Sequence, residues 1–239
     1  MLFVNKNMIP KIIHKIFISN DMSLPEILVP ALQSAHDSWK KLNPNYEIKY
    51  WSYSDCLKYL ESEDKIYFDT FKSLKPYAYK CDFFRYYILY KQGGFYSDWK
   101  QKCIVPLDYI NKNNTEWISC FDTGNGYSKY YECMGNGFLG SIPNHPILKS
   151  SIEQIIKNVD KKFYGSSCLD PTGPFVLGNS FKANKNQMKN YIIGNFDWDN
   201  YFSFDNLKVV QHKCDGVRTD QYWENGNNYV EMWVTKQVY

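Results

Sequence analysis

The stretch that most constrains this chain runs from Lys75 to Pro106, KPYAYKCDFFRYYILYKQGGFYSDWKQKCIVP. It reads as one helix, a Gly-Gly corner and one strand, because Pro76 suits a first helical position while Gly93 and Gly94 suit a left-handed stop. Between those marks Tyr77, Cys81, Phe84 and Ile88 recur at helical spacing, which predicts a buried stripe. Asp82 and Arg85 stand beside that stripe, one helical turn apart, so both reach the same place at the helix edge. After the corner the period changes to two, which puts Tyr96, Asp98 and Lys100 on one strand face and Phe95 and Ser97 on the other. The carboxyl end of this strand therefore gathers two carboxylates, a guanidinium, a phenol and an ammonium, and in open α/β sheets that end is where ligands bind. Spacing alone also admits a plainer arrangement, in which Asp82 and Arg85 form an exposed helix pair worth ~0.5 kcal/mol and Asp98 merely begins a loop.

The other segments supply the frame. IPKIIHKIFIS, residues 9 to 19, has the compact apolar run of a buried parallel strand, with His14 read as a core histidine. Leu32, Ala35 and Trp39 share one face of a helix that Asn43-Pro44 stops; YEIKYWS (46 to 52) alternates as a second strand, and Ser54 caps a short helix. That β-α-β-α order predicts a right-handed crossover with helices covering a mostly parallel sheet. Farther on, WISCF (117 to 121) reads as a strand, Asp122 to Tyr131 as a flexible loop, and GNGFLGSIPNHPIL (135 to 148) as a strand between tight turns. Ser151 to Lys162 is an amphipathic helix, and Asp170 to Pro174 is a rigid turn. His145, in its Pro-bounded turn, reads as structural. At 239 residues without a linker, the chain is expected to be one α/β domain.

Composition narrows the partners. A net charge of +3 with no clustered basic face argues against nucleic acid. Aromatic residues make up 18% of the chain, and rings with polar handles suit stacking on bases and sugars as well as core packing. The seven cysteines contain no CxxC pair, which predicts free thiols in a reducing compartment. MLFVNKNMIP lacks a long apolar run, so neither a signal peptide nor a transmembrane segment is expected, and the placement expected is cytoplasmic.

Five blocks, IPKIIHKIFIS, W-x(3)-NPNYEIKYW, CDFFRYYILYKQGGFYSDWK, NGFLGSIPNHP and TGP, occur in an order that resembles the DXD-type glycosyltransferases. That family includes capsular and lipopolysaccharide glycosyltransferases and Golgi initiating mannosyltransferases, and is related to the catalytic domains of glucosylating toxins. The resemblance, over about residues 9 to 180, implies a GT-A fold, a nucleotide-sugar donor with UDP favoured, a glycan, lipid-linked or protein acceptor, and retention of anomeric configuration. It implies a nucleotide-sugar-binding half at 9–110 and an acceptor-side half at 111–239 of a single domain spanning 1–239. By the same resemblance, Phe17 stacks on the base, Asp82 and Arg85 hold donor-sugar hydroxyls, and Tyr96 and Asp98 match the start of Y-x-D-x-D. Asn136, between two glycines, either contacts the donor sugar or acceptor or is a turn residue. Asp170, Thr172 and Gly173 shape the acceptor pocket or form a turn, and Asp122 and Glu132 are the nearby acids for acceptor activation.

Two departures bear on the metal. Where the second acid of DXD would stand there is Lys100, and the family's C-terminal His before a Trp is absent, Glu231-Met232-Trp233 standing there instead. Three readings follow: Lys100 replaces the Mn²⁺ or Mg²⁺ ion; a metal remains bound through Asp98 and a carboxylate such as Glu231; or the chain binds nucleotide sugars without turning them over. In the plainer alternative the strand ends at Asp98 and Lys100 points to solvent.

Overall fold

The computed structural model describes residues 8–112, 114–122, 133–196, 199–214 and 227–239. In chain order the first half contains β1 (Ile12–Ile16), α1 (Pro30–Leu42), β2 (Glu47–Trp51), α2 (Tyr53–Glu61), α3 (Lys65–Ser73), α4 (Tyr77–Gln92), β3 (Gly94–Ser97) and β4 (Lys102–Cys103). The second contains β5 (Trp117–Asp122), β6 (Met134–Ser141), α5 (Pro146–Asp160), α6 (Pro174–Asn184), β7 (Tyr191–Phe196), β8 (Tyr201–Phe204), β9 (Leu207–Gln211) and α7 (Tyr229–Val234).

The strands form one sheet in the order β2-β1-β3-β6-β5-β7-β8-β9-β4. β1 runs parallel to β2 and to β3, and β5 runs parallel to β7; the remaining pairings are antiparallel. The α/β class with helices flanking a central sheet therefore holds, and the β1-α1-β2 crossover read from the sequence supplies one of its parallel pairings. The sheet is mixed because β6 returns beside β3, and because β7, β8 and β9 follow one another as a meander.

The corner at Gly93-Gly94 is fixed by crowding. Gly93 has φ +65°, and a Cβ built on it would lie 2.8 Å from Pro143 Cδ and 2.9 Å from Pro10 Cδ. His14, fully buried, locks the same corner: the indole N–H of Trp51 donates to its Nδ1 at 3.1 Å, which leaves Nε2 to donate to the Gly93 carbonyl at 3.0 Å. Burial lowers the His14 pKa to about 4, so the ring stays neutral in this structural role.

Several expectations change. The cap of α2 is Ser52 rather than Ser54, and the strand read over 135–148 is β6 only as far as Ser141, with α5 beginning at Pro146. α4 carries no narrow apolar stripe: Tyr79, Lys80, Asp82 and Phe83 through Leu89 are all buried, because the helix is wedged between the sheet and helices α3, α5 and α7. Tyr77 and Cys81, expected inside that stripe, are half-buried. α3 was not foreseen; it buries Thr70 and Phe71 against the core. Finally, β3 stops at Ser97, so the alternation that would place Asp98 and Lys100 with Tyr96 ends before it reaches them.

Candidate active site

Asp82 and Arg85 leave α4 on the same side, and the corner turns β3 back so that its end meets them. Arg85 Nη2 lies 3.2 Å from Asp82 Oδ1 and 3.4 Å from Asp98 Oδ1. The same guanidinium donates through Nη1 to the carbonyl of Asn136 at 2.7 Å and covers the Tyr96 ring at 4.4 Å from its centroid. Tyr96 donates its phenol proton to Asp98 Oδ1 at 2.7 Å. One buried cation is thus shared by two carboxylates, and each carboxylate has further donors, as buried charge requires.

Asp82 is the better satisfied of the two. Its Oδ1 accepts from Asn136 Nδ2 at 2.8 Å and its Oδ2 from the Thr172 hydroxyl at 2.8 Å. Asn136 also donates to the Tyr86 hydroxyl at 3.0 Å, tying β6 to α4. Burial raises the Asp82 pKa, and Arg85 and the Thr172 hydrogen bond pull it back down. A Thr172→Val protein is therefore expected to lose about 1–3 kcal/mol of stability at pH 7, since Asp82 Oδ2 is left without its donor. Urea denaturation measures this, and an unchanged midpoint would show that water replaces the hydroxyl.

Asp82, Arg85, Asp98 and Asn136 border one cavity of about 250 Å³. The Asp98 side chain is 32% exposed there and Asp82 only 12%, so Asp98 is the acid offered to a ligand. Asp122, at the end of β5, borders the same cavity, as do Phe196, Phe202 and His212. The His212 ring packs on Phe196 and Phe202 at 4.8 and 5.8 Å between centroids, its Nδ1 finds no hydrogen-bond partner among the described residues, and burial lowers its pKa.

The other expected residues fall elsewhere. Tyr96 is buried beneath Arg85 and acts on the cavity through Asp98. Phe17 and Lys100 do not border the cavity. Phe17 packs on Trp99 at 5.0 Å, and Lys100, carried past the strand by a turn, is half-buried with its carbonyl accepting from the Cys214 amide at 3.0 Å. Glu231 lies exposed on α7 and does not border the cavity, although Tyr229 of that helix does. Asp170 is a turn residue, accepting from the Ser166 and Ser167 amides at 2.6 and 2.9 Å. His145 caps α5 and stacks on Trp117 at 4.9 Å. Glu132 and the loop after Asp122 lie outside the described residues.

Sequence reasoning missed His212 and Gly137. His212 follows β9, far along the chain from Asp82, Arg85 and Asp98, and carried no local signal. Gly137 of β6 lies against Asp98: a Cβ there would come 2.6 Å from Asp98 Oδ2 and 3.0 Å from Gln101 Nε2. Only its position among three glycines hinted at a close approach.

For a divalent cation, no group of three His, Cys, Asp or Glu side chains among the described residues gathers closely enough to hold one. Asp98, partly exposed but already accepting from Tyr96, is the acid that could share an ion with phosphate oxygens, which is how Mg²⁺ is commonly held.

The fold is that of the GT-A glycosyltransferases. A UDP-bound glycosyltransferase domain from the YGT toxin superposes with a TM-score of 0.50 at 10% identity, over 76% of this chain and 78% of that one. Residues 30–117 match the family described as the glycosyltransferase sugar-binding region containing DXD motif. An uncharacterized glycosyltransferase of Acanthamoeba polyphaga mimivirus is 30% identical over 154 residues, 64% of this chain and 56% of that protein. The mannosyl phosphorylinositol ceramide synthase of Saccharomyces cerevisiae is 29% identical over 180 residues, 74% of this chain and 44% of that protein. The chain thus spans about half the length of these curated relatives. No helix among the described residues is long and apolar enough to cross a membrane.

Proposed function

We propose that this chain transfers a hexose from a nucleoside diphosphate sugar, UDP carriers favoured, to a hydroxyl of a glycan, lipid-linked or protein acceptor, with retention of configuration. The observation that carries this reading is the meeting of Asp82, Arg85, Asp98 and Asn136 in one cavity, with a single guanidinium within 3.2 and 3.4 Å of the two carboxylates. Breaking the sugar–phosphate bond builds negative charge on the diphosphate and positive charge on the ring carbon, and preorganised charges are the largest aid to such a step. In this reading Asp98 faces the hexose, Asn136 adds an amide beside it, and Arg85 holds both acids in register. Residues 9–110 supply the donor side, while Asp122, Phe196, Phe202 and His212 of 111–239 form the acceptor side, an apolar shelf with an acid and an imidazole. The seven free thiols support a reducing, cytoplasmic setting.

Lys100, read from its place in the motif as a substitute for the cation, does not border the cavity. A second reading has its own support: Asp82, Asp98 and Asp122 wall the cavity against one guanidinium, an acidic excess that an ion arriving with the diphosphate would offset. A panel of UDP- and GDP-sugars, mannose donors and ceramide-type acceptors included, is assayed for release of nucleoside diphosphate and for product configuration. Turnover abolished by Asp98→Asn supports transfer, whereas a thermal shift with donor and no turnover in any arm identifies a binding protein instead. Loss of turnover on chelation with recovery in Mn²⁺ is expected; turnover that survives EDTA rejects the ion reading.

A further inference from the structure

Lys15, in the middle of β1, is fully buried, and no ion pair holds it among the described residues. Its ammonium rests over the Trp39 ring at 4.7 Å and donates to two oxygens, Ser97 Oγ and the Asp98 carbonyl, each at 3.1 Å. Ser97 passes the contact on, donating to Gln101 Oε1 at 3.0 Å. A buried amine of this kind is costly and needs a reason.

The reason lies in the turn it touches. Every carbonyl from Asp98 to Gln101 is held: that of Asp98 by Lys15 and by the Gln101 amide at 3.1 Å, and that of Trp99 by His36 Nε2 at 2.9 Å. Those of Lys100 and Gln101 are held by the Cys214 amide at 3.0 Å and by the Trp39 indole at 2.7 Å. The Asp98 amide in turn donates to the Gly137 carbonyl at 2.9 Å. Among these donors Lys15 reaches both ends of the turn, Asp98 directly and Gln101 through Ser97. Burial lowers its pKa to about 7, and in either protonation state the amine keeps the two N–H groups that these acceptors use.

We propose that Lys15 is a positioning residue that clamps the Asp98–Gln101 turn from its buried side, so that the Asp98 carboxylate is held toward the cavity. The consequence for catalysis rests on the transfer reading above; the clamp itself does not. Hydrogen–deuterium exchange of the full chain is compared between wild type and Lys15→Met. The Asp98 and Gln101 amides are expected to exchange about tenfold faster in the variant, with the β1 and β6 amides unchanged. Equal protection at those two amides overturns the proposal. Should Lys15→Met fail to fold, Ser97→Ala cuts the relay to Gln101 while Lys15 keeps the Asp98 carbonyl, and faster exchange at Gln101 is again required.

With a turned-over donor, the clamp also requires kcat to fall, by about 100-fold for a displacement near 1 Å, while the donor KM holds. A released turn with unchanged kcat would overturn the positioning role. If wild type turns over no nucleotide sugar, the transfer reading fails, and the exchange result still decides the clamp.

Discussion

Replacing Arg85 with Met is expected to cost about 3–5 kcal/mol of stability at pH 7, the usual penalty for stripping the partner from a buried carboxylate. Asp82 and Asp98 would then face each other with no cation between them, and Asp82 is buried beyond rescue by solvent. The loss should depend on pH in a defined direction. Burial already raises the folded-state pKa of Asp82, and Arg85 is the strongest influence lowering it, so the substitution raises it further. A carboxyl whose folded pKa lies above its unfolded value gives stability that is complete below the unfolded value and fades as pH climbs through the folded one. The gap between Arg85→Met and wild type should therefore be widest near neutrality and narrow on acidification toward the ordinary carboxylate range. Urea titrations at several pH values test this, and a gap that widens with acid would mean that Asp82 is not the group left exposed.

Gly137→Ala is expected to do the reverse, leaving stability within about 1 kcal/mol while lowering turnover by about 100-fold. The added methyl would meet Asp98 Oδ2 at 2.6 Å, and that oxygen ends a side chain able to rotate aside. The backbone needs no rearrangement, because residue 137 sits in regular strand with no left-handed torsion. The cost thus falls on the aim of the carboxylate. Thermal melts beside kinetics separate the effects; a well-folded Gly137→Ala enzyme with normal kcat would show that Asp98 works in another rotamer.

What the sequence made legible was local. Asp82 and Arg85 were readable as a pair because one turn of helix fixes their relation, and the Gly-Gly corner made their meeting with Tyr96 and Asp98 foreseeable. Lys100 was misjudged because two-residue alternation was carried past Ser97, where the Asp98 amide bonds back to Gly137 and begins a turn. Phe17, named by resemblance alone, packs on Trp99 and does not border the cavity. Lys15 hid inside the apolar run IIHKI, where a lone lysine carries no pattern. His212 and Thr172 join the site only through tertiary approach, across 90 positions in the case of Thr172 and Asp82. The meander β7 to β9 was unread because β7 buries only Gly194 while β8 and β9 are short, at four and five residues.

β4 follows the Asp98 turn directly, yet its partner is β9, with Cys103 paired to Val210. The ring closed by this pairing encloses more than a hundred residues, and contacts of such sequence separation slow folding and come after local structure. In the refolding chain, helix α4 and its corner can form early from neighbours, whereas the ribbon carrying Asp98 stays untethered on one side until the far meander arrives. Competence would then appear as a late kinetic phase, lagging behind the recovery of helical circular dichroism.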